Sequence, residues 1–276
     1  MPTVGEKLRE TARALRCVAD EHEAAYQARL LLCHTLQASA EALVLRANEV
    51  FPDAHADALD ALVRARIGGE PLQYLLGTWA FMGLMFLVGP GVLIPRQDTE
   101  TLCEQALALA KAQGYQTALD LCCGSGCVGI ALAKLGGLCV TLADISGDAL
   151  AYAKKNAAQN GVVAELVCSD LFSQVEGRFD LLLCNPPYIP TGEIASLQVE
   201  VRREPVLALD GGADGLDFYR RLAQQAQAYL VPGGTLLLEV GAGQAEAVCG
   251  LFSGAYAVQD IRGVARVVVA RADECL

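Results

Sequence analysis

The segment LLLCNPPYIP, residues 181–190, ends a run of strand-forming residues on an amide side chain that two prolines and a tyrosine follow. Pro186 and Pro187 have no backbone N–H, so the strand cannot simply continue in a ladder past Asn185. The Asn185 side-chain oxygen and the Pro186 carbonyl can each accept one N–H of a planar NH2 group, and Tyr188 can lie flat against that group. The NPPY loop, residues 185–188, therefore predicts a clamp for a planar amine or amide nitrogen.

Such a nitrogen is a weak nucleophile, because its lone pair is delocalised. Two acceptors that fix its N–H bonds leave the lone pair aimed in one direction, as methyl transfer from a sulfonium requires. This is catalysis by orientation and electrostatics, and it needs no histidine. The expected catalytic residues are Asn185, Pro186 and Tyr188, and Pro187 is a further expected substrate contact. The alternative is a proline-rich turn that only ends a strand.

A second pattern, DLCCGSGCVG, places Gly124, Gly126 and Gly129 in G-x-G-x-x-G spacing between a predicted strand and a predicted helix. Glycines allow a tight turn and a close approach to a ligand, so this context predicts an adenosine-type cofactor at the carboxyl edge of a sheet. Asp144 ends the next strand, where it can accept both ribose hydroxyl protons or serve only near a helix N-cap. The spacing alone does not separate a dinucleotide from S-adenosylmethionine.

Acidic strand ends favour the second of these cofactors. Asp120 lies just before the glycines, where its carboxylate would repel a pyrophosphate but suits the α-amino group of a methionine moiety. In the segment SDLF, Asp170 can accept from the adenine amino group. Phe172 can pack against the adenine ring, and a plain core position suits it equally well.

Composition excludes several classes of protein. The net charge of -11 over 276 residues argues against tight, sequence-independent nucleic-acid binding, which depends on Lys and Arg. All three histidines lie at or before position 55, which excludes Ser-His and Cys-His hydrolases and most zinc enzymes for the rest of the chain. The eleven cysteines have no C-x-x-C spacing, which predicts free thiols and no metal site. Without a signal-peptide pattern or an apolar stretch of membrane-spanning length, we expect a cytoplasmic protein.

Three regions are expected to position these residues. Residues 1–67 carry apolar side chains at helical spacing and predict a small helical domain. Residues 68–95 hold the single tryptophan and several glycines at turn positions, and they predict a β-hairpin that links two domains. Residues 96–276 alternate strand and helix patterns, which predicts an α/β domain with a doubly wound, mostly parallel Rossmann-like sheet and an antiparallel C-terminal edge.

At this point the chain resembles a known family. NPPY after FDLLLC is shared by N6-adenine DNA, some RNA, and glutamine methyltransferases. The segments GEPLQYLLG, VLIPRQDTE, DLCCGSGCVGIALA, EPVLALDGGADGLDFYRRL and LVPGGTLLLEVGAGQ narrow the resemblance to the PrmC/HemK-type peptide chain release factor N5-glutamine methyltransferases. The resemblance runs from about Gly69 to the C-terminus, and the N-terminal region has the family's size and place but little motif content.

The resemblance implies a class I methyltransferase fold and methyl transfer from S-adenosylmethionine to a protein. The expected target is the side-chain amide of the glutamine in the Gly-Gly-Gln motif of class-1 peptide chain release factors, which becomes N5-methylglutamine. The N-terminal helical domain is expected to recognise this protein substrate. The expected partner is thus a release factor, without a membrane and without stable nucleic-acid binding.

Individual roles follow from the resemblance and from the acidic strand ends. The expected cofactor-binding residues are Asp120, Cys122, Cys123, Gly124, Ser125, Gly126, Asp144, Asp170, Phe172 and Asn185. The expected substrate-binding residues are Arg96 and the NPPY loop. The chain departs from the family where Cys122 and Cys123 replace a glycine and a threonine. The two cysteine side chains are small, so we expect the cofactor cradle to be kept. It also departs at Gln97, which replaces a proline in VLIPRQDTE but spares Arg96.

Other functions stay open. A relative with another target, either a ribosomal-protein glutamine or an adenine in DNA or RNA, would share the NPPY loop. The acidic charge and the lack of a basic target-recognition segment disfavour nucleic acid. A silent adapter that binds S-adenosylmethionine would gain nothing from an intact NPPY loop, and an NAD-dependent oxidoreductase rests on the glycine spacing alone.

Overall fold

The computed structural model describes residues 1–272, so the last four positions of the region expected at 96–276 lie outside the described residues. The chain divides into two compact units, and the first includes a short segment from late in the sequence. The units are Met1–Gly77 with Gln198–Arg203, and Thr78–Leu197 with Glu204–Leu276. Within the described part of the chain, no helix combines the length and the apolar composition that crossing a bilayer requires.

The first unit is helical and encloses its own apolar core. Its helices are α1 Val4–Leu15, α2 Glu21–Leu36, α3 Ala40–Leu45, α4 Ala56–Ile67 and α5 Leu72–Leu76. Thr3 caps α1 in a capping box with Glu6, and the Asp20 side chain caps α2, so the sequence marks where these helices begin. The apolar helical spacing predicted for residues 1–67 corresponds to the buried faces of α1, α2 and α4.

A buried arginine holds the late segment within this unit. Arg66 is only 1% exposed, and its guanidinium donates to Gln27 Oε1 at 2.8 Å and pairs with Glu200 at 2.5 Å. A buried charge is tolerated only when it is paired and hydrogen-bonded, so these contacts fix both Arg66 and the segment that carries Glu200.

A β-hairpin opens the second unit. Strands β1 Thr78–Phe81 and β2 Leu84–Leu87 pair antiparallel around Met82 and Gly83. Both turn residues have positive φ, 50° and 73°, as a two-residue type I′ turn requires. The hairpin therefore occupies the middle of the segment 68–95 that the sequence assigned to it, and helix α5 precedes it.

Seven further strands form the main sheet. They are β3 Thr117–Leu121, β4 Cys139–Asp144, β5 Ala164–Cys168, β6 Phe179–Cys184, β7 Leu230–Glu239, β8 Tyr256–Gln259 and β9 Ala265–Arg271. Their order is β5-β4-β3-β6-β7-β9-β8, with β3 to β7 mutually parallel and β9 antiparallel to both of its neighbours. The predicted mostly parallel Rossmann-like sheet with an antiparallel C-terminal edge is confirmed.

Helices cover both faces of this sheet. They are α6 Gln97–Gln113, α7 Cys127–Gly136, α8 Gly147–Gln159, α9 Asp217–Gln225 and α10 Ala245–Cys249. Along β6, Leu181 and Leu183 enter the core under α6, α7 and α8, whereas Leu182 and Cys184 enter the core under α9 and α10. Burial on both faces explains why these strands read as continuous apolar runs and not as an alternating pattern.

The strand order reverses direction at β3, because the chain passes from β3 to β4 on one side and later to β6 on the other. Parallel strands end at one edge of a sheet, and ligands of such folds bind where the order reverses. Asp120, Asp144, Asn185 and Glu239 all lie at or just beyond strand ends of this edge.

A fully buried asparagine ties the hairpin to the loop that follows β3. Asn156 of α8 accepts from the Leu87 N–H at 2.6 Å, and its Nδ2 donates to the carbonyls of Leu87 and Ser125 at 3.1 and 2.9 Å. One side chain thus satisfies three backbone groups, two at the end of β2 and one in the loop that follows β3.

We expect Asn156→Ala to lower the free energy of unfolding by roughly 2–4 kcal/mol, because it leaves these backbone groups without partners. Urea denaturation measures this change. The control is Asn160→Ala, which removes hydrogen bonds that lie closer to solvent and should cost much less. Equal losses in the two variants would contradict a special role for Asn156.

Candidate functional site

A cleft of about 290 Å³ opens at the carboxyl edge of the sheet, where the strand order reverses. Most of the residues singled out from the sequence line it: Arg96, Asp120, Cys122, Cys123, Gly124, Ser125, Asp144, Asp170, Asn185 and Pro187. Four others lie outside the lining: Gly126, Phe172, Pro186 and Tyr188. The structure therefore brings the first motif glycine, Gly124, three carboxylates and the start of the NPPY loop to a single opening.

The loop between β3 and α7 turns sharply because three of its residues have positive φ. Gly124 and Gly126 adopt φ of 53° and 77°, and Gly126 is the N-cap of α7. Cys122 adopts φ of 54°, a conformation that costs a residue with a side chain about 1–2 kcal/mol. At Gly129 a Cβ atom would lie 2.3 Å from Leu142 Cδ2, so this glycine allows α7 to approach the sheet.

Two carboxylates hold this loop and face the cleft. Asp120, 3% exposed, accepts from the Gly129 N–H at 2.8 Å, and burial raises its pKa to about 7. Asp144 accepts from the N–H groups of Gly124 and Ser146 at 2.8 and 2.9 Å, and burial raises its pKa as well. Desolvated carboxylates in a cleft favour a cationic ligand with hydroxyl groups and disfavour a pyrophosphate. These carboxylate acceptors thus fit S-adenosylmethionine, which carries an ammonium, a sulfonium and a ribose diol.

The segment after β5 is only partly as the sequence predicts. Asp170 lies at the rim of the cleft and is ion-paired with Arg221 at 2.7 Å. Phe172, which we included among the cofactor-binding residues, does not line the cleft. It is 1% exposed and stacks on Tyr229 with ring centroids 4.4 Å apart. Leu171 lines the cleft instead, because its positive φ of 48° reverses the chain at this point.

Hydrogen bonds hold the NPPY loop and the adjoining Ile189 against residues 209–211 and Gln244. Ile189 donates to the Leu209 carbonyl at 3.0 Å and accepts from the Gly211 N–H at 2.9 Å. The Tyr188 carbonyl accepts from Gln244 Nε2 at 2.9 Å. Together with the fixed φ of the prolines, these bonds restrict the path of the loop beyond Asn185.

Glycines allow this packing. A Cβ atom at Gly211 would lie 2.7 Å from Tyr188 Cα, and one at Gly215 would lie 2.3 Å from the Tyr188 carbonyl oxygen. A Cβ atom at Gly241 would lie 3.1 Å from Tyr188 Cδ2. The Tyr188 phenol is largely buried, and burial raises its pKa to about 12. Gly211 and Gly215 of DGGADG and Gly241 of EVGAG thus border the NPPY loop directly.

Arg96 lines the cleft and forms an ion pair with Glu204, a buried residue from the segment EPVLALDGG. Glu204 Oε2 also accepts from the Ile94 N–H at 2.9 Å. The carboxylate therefore fixes both the backbone and the guanidinium of the loop that precedes α6. The place of Glu204 in the segment EPVLALDGG is the sequence signal for this residue, although the segment alone predicts no role for it.

Two more polar residues at the site were not found from the sequence. Asn185 Nδ2 donates to Thr99 Oγ1 at 3.3 Å, and Thr99 is buried in the first turn of α6. Glu239 ends β7, and the parallel register that pairs Cys184 with Leu238 makes it the neighbour of Asn185. A carboxylate that ends an apolar strand at the carboxyl edge of a parallel sheet is the signal that would have found Glu239.

Metal chemistry receives no support from side-chain placement. Among residues 1–272, no group of three or more His, Cys, Asp or Glu side chains is arranged to hold a metal ion. All ten cysteines in that range are free thiols, and burial raises the pKa of Cys123 and Cys184 well above the ordinary value.

Comparisons with known proteins agree with this geometry. The family model for the PrmC N-terminal domain matches residues 6–77, and that for the methyltransferase small domain matches residues 99–201. A release factor glutamine methyltransferase from Geobacter sulfurreducens is 48% identical over 218 residues, which cover 76% of this chain and 76% of that protein. Another from Bradyrhizobium diazoefficiens is 39% identical over 280 residues, which cover 96% and 94%.

Solved structures give the same fold. A methyltransferase from Pyrococcus furiosus superposes with a TM-score of 0.51 at 17% identity, over 70% of this chain and 91% of that one. At this identity the likeness concerns the fold alone, and it supports the sheet described above.

The pKa of Asp120 predicts how stability changes with pH. Its ordinary value is 3.8 and its value in the folded chain is about 7, so between these values the folded state binds more protons than the unfolded state. Stability should therefore fall as the pH rises from about 4 to about 7 and level off above that. We expect the Tm of the ligand-free protein to drop by about 2–4 °C more between pH 6 and 8 than that of Asp120→Asn. Calorimetric scans at both pH values measure this difference, and identical pH dependence in the two proteins would contradict it.

Proposed function

The chain belongs to the release factor glutamine methyltransferase family, and on that premise we propose which methyl acceptor it uses. The acceptor is the side-chain amide of the glutamine in the Gly-Gly-Gln motif of a class-1 peptide chain release factor, and the product is N5-methylglutamine. One observation carries this proposal: Asn185 and Pro187 of the NPPY loop line the same cleft as Asp120 and Asp144. Methyl transfer requires that the amide and the methyl donor meet in one opening, which this arrangement allows.

S-adenosyl-L-methionine is the cofactor, and it supplies an electrophilic methyl group on a sulfonium. We assign its amino group to Asp120 and its ribose hydroxyls to Asp144. Both carboxylates already accept backbone N–H groups, so they are fixed before any ligand binds. Backbone groups of the loop from Cys122 to Gly126 complete the cradle, and Asp170 remains the proposed acceptor for the adenine amino group.

The NPPY loop acts on the substrate by orientation. Asn185 Oδ1 and the Pro186 carbonyl accept the two N–H bonds of the glutamine amide, which leaves the nitrogen lone pair pointing at the methyl group. Tyr188 remains the proposed flat support for the amide, although it is not among the residues that line the cleft. Since the loop is fixed by the hydrogen bonds of Ile189 and Tyr188, little reorganisation is required when the amide binds.

No observation favours the alternatives. A cleft with three carboxylates and a chain of net charge -11 suit a nucleic-acid target poorly. A silent adapter does not account for an NPPY loop that opens into the cofactor cleft. The cytoplasmic location stays part of this proposal, since a release factor acts on ribosomes.

The direct test incubates the protein with methyl-labelled S-adenosylmethionine and a purified class-1 release factor, and locates the label by mass spectrometry of peptides. We expect one methyl group on the glutamine of the Gly-Gly-Gln motif. A release factor with alanine in place of that glutamine is the control. Label that persists in the control, or no label on the intact factor, would contradict the proposal.

We expect Asn185→Ala to lower kcat by about 10²–10³, by analogy with the loss of one oriented donor in an oxyanion hole. The substitution removes one acceptor while the prolines, Asp120 and Asp144 stay in place. Steady-state kinetics with the release factor measures the loss, and calorimetry with S-adenosylhomocysteine checks that the cofactor cleft is intact. Near-normal kcat in a folded variant would mean that the NPPY loop only ends a strand.

The helical unit offers a second contact with the release factor, which we propose as its role. Val44 and Leu45 of α3 are 72% and 85% exposed, and Val50 nearby is 55% exposed. Adjacent exposed apolar side chains are typical of protein-binding surfaces. Leu45→Ser with Val44→Ser should raise KM for the release factor severalfold and leave S-adenosylhomocysteine affinity unchanged. Val163→Ser, which changes a 95% exposed valine of the other unit, is the control and should change neither constant.

A further inference from the structure

The Asn185 amide has two ends of nearly equal shape, and only one of them suits the proposed substrate. Its oxygen accepts an N–H bond, whereas its NH2 group would repel the N–H bonds of a glutamine amide. A rotation of 180° about the last side-chain bond exchanges the two ends. The orientation of this amide must therefore be fixed by its surroundings if Asn185 is to act as an acceptor.

The amide nitrogen has a partner on the side away from solvent. Asn185 Nδ2 donates to Thr99 Oγ1 at 3.3 Å, and Thr99 is 2% exposed. A hydroxyl has one proton and two lone pairs, so Thr99 alone could either accept from Nδ2 or donate to Oδ1. The hydroxyl selects an orientation only if its own proton is already engaged elsewhere.

Glu239 is the acceptor that the fold offers for that proton, because the parallel register of β6 and β7 places its carboxylate beside Asn185, where it is only 2% exposed. Burial raises the pKa of this carboxyl, and its interactions with Thr99 and Asn185 act in the opposite direction, in favour of the charged form. An ionised carboxylate can only accept, so the Thr99 proton points to Glu239 and the Thr99 lone pairs are left for Asn185 Nδ2. Asn185 Oδ1 is then free to face the cleft.

We propose that Thr99 and Glu239 are positioning residues, which set the Asn185 amide so that its oxygen faces the substrate nitrogen. The inference deepens the proposed function and rests on it. It assigns a purpose to a carboxylate buried in the apolar end of β7, whose Oε2 has no hydrogen-bond partner among the described residues. Such a group is costly for stability, and its place beside Asn185 supplies a reason for its presence.

The charge state of Glu239 sets the condition for the tests. Its pKa is raised to about 7, chiefly by burial and also by the charge of Asp98, while Thr99, Arg266 and Asn185 act in the opposite direction. A protonated Glu239 could donate to Thr99 and would no longer fix the direction in which the Thr99 hydroxyl proton points. All measurements are therefore made at about pH 8, where the carboxylate form predominates.

The first experiment observes the amide in the ligand-free protein. The chain has only four asparagines, so selective 15N-asparagine labelling gives four side-chain NH2 signals, and Asn185→Ala identifies the one from Asn185. Thr99→Val keeps the shape of the threonine but removes the acceptor. We expect it to shift the Asn185 signal and to speed exchange of its protons with solvent, whereas Thr99→Ser should preserve both. Thr101→Val, on the same helix but outside the cleft, is the control and should change neither.

The second experiment measures methylation by the same variants. Thr99→Val should lower kcat by about 10-fold to 100-fold and leave S-adenosylhomocysteine affinity within about twofold, because one orienting contact is lost while the cofactor site is kept. Thr99→Ser should restore most of the rate. In an Asn185→Ala background, Thr99→Val should cause no further loss, because the group it positions is absent.

Several outcomes overturn the inference. An unchanged Asn185 NH2 signal in Thr99→Val shows that the hydroxyl does not hold the amide, and full additivity with Asn185→Ala shows that Thr99 acts elsewhere. If Thr99→Val does not fold, Glu239→Gln takes its place: its amide can donate to or accept from Thr99, so the Asn185 signal should broaden or split and kcat should fall. The NMR experiment needs no substrate. A protein with an ordered Asn185 amide that does not methylate release factors would therefore contradict the proposed function but leave the positioning role of Thr99 and Glu239 intact.

Discussion

The direction of the parallel strands is the constraint on which the rest of this structure depends. Strands β3, β4, β6 and β7 all end at one edge, so residues far apart in the sequence meet there. Asp120, Asp144, Asn185 and Glu239 each occupy such an end. Because β3 lies between β4 and β6, the carboxylates of the cofactor cleft and the amide of the NPPY loop open into the same space. An antiparallel sheet would place half of these ends on the opposite side.

Hydrogen bonds and ion pairs of buried polar groups then hold the residues at these strand ends in fixed positions. Asn156 joins the hairpin to the loop after β3, Glu204 holds the loop that carries Arg96, and Thr99 contacts the Asn185 amide. Each of these groups is costly when it lacks a partner, so each specifies one local arrangement and disfavours others. Burial also removes water from the carboxylates of Asp120 and Glu239, which destabilises their charged forms and raises the pKa of both to about 7.

The sequence predicted those features that depend on local patterns. Alternating strands and helices indicated the sheet, and the G-x-G-x-x-G spacing and the NPPY segment indicated the two halves of the site. Features set by tertiary packing were missed. Phe172 enters the core because Leu171 reverses the chain with a positive φ, which no spacing rule predicts for leucine. Thr99 reads as an ordinary residue of a first helical turn, and only the strand register places Glu239 beside Asn185.

The central claim is that Asn185 accepts a hydrogen bond from the amide that becomes methylated. The most direct test is a crystal structure of the protein with S-adenosylhomocysteine and a release-factor peptide that contains Gly-Gly-Gln. The account predicts that the glutamine Nε2 lies about 3 Å from Asn185 Oδ1, with Asn185 Nδ2 still bonded to Thr99. A glutamine whose carbonyl oxygen faces Asn185, or whose amide lies outside the cleft, would contradict it.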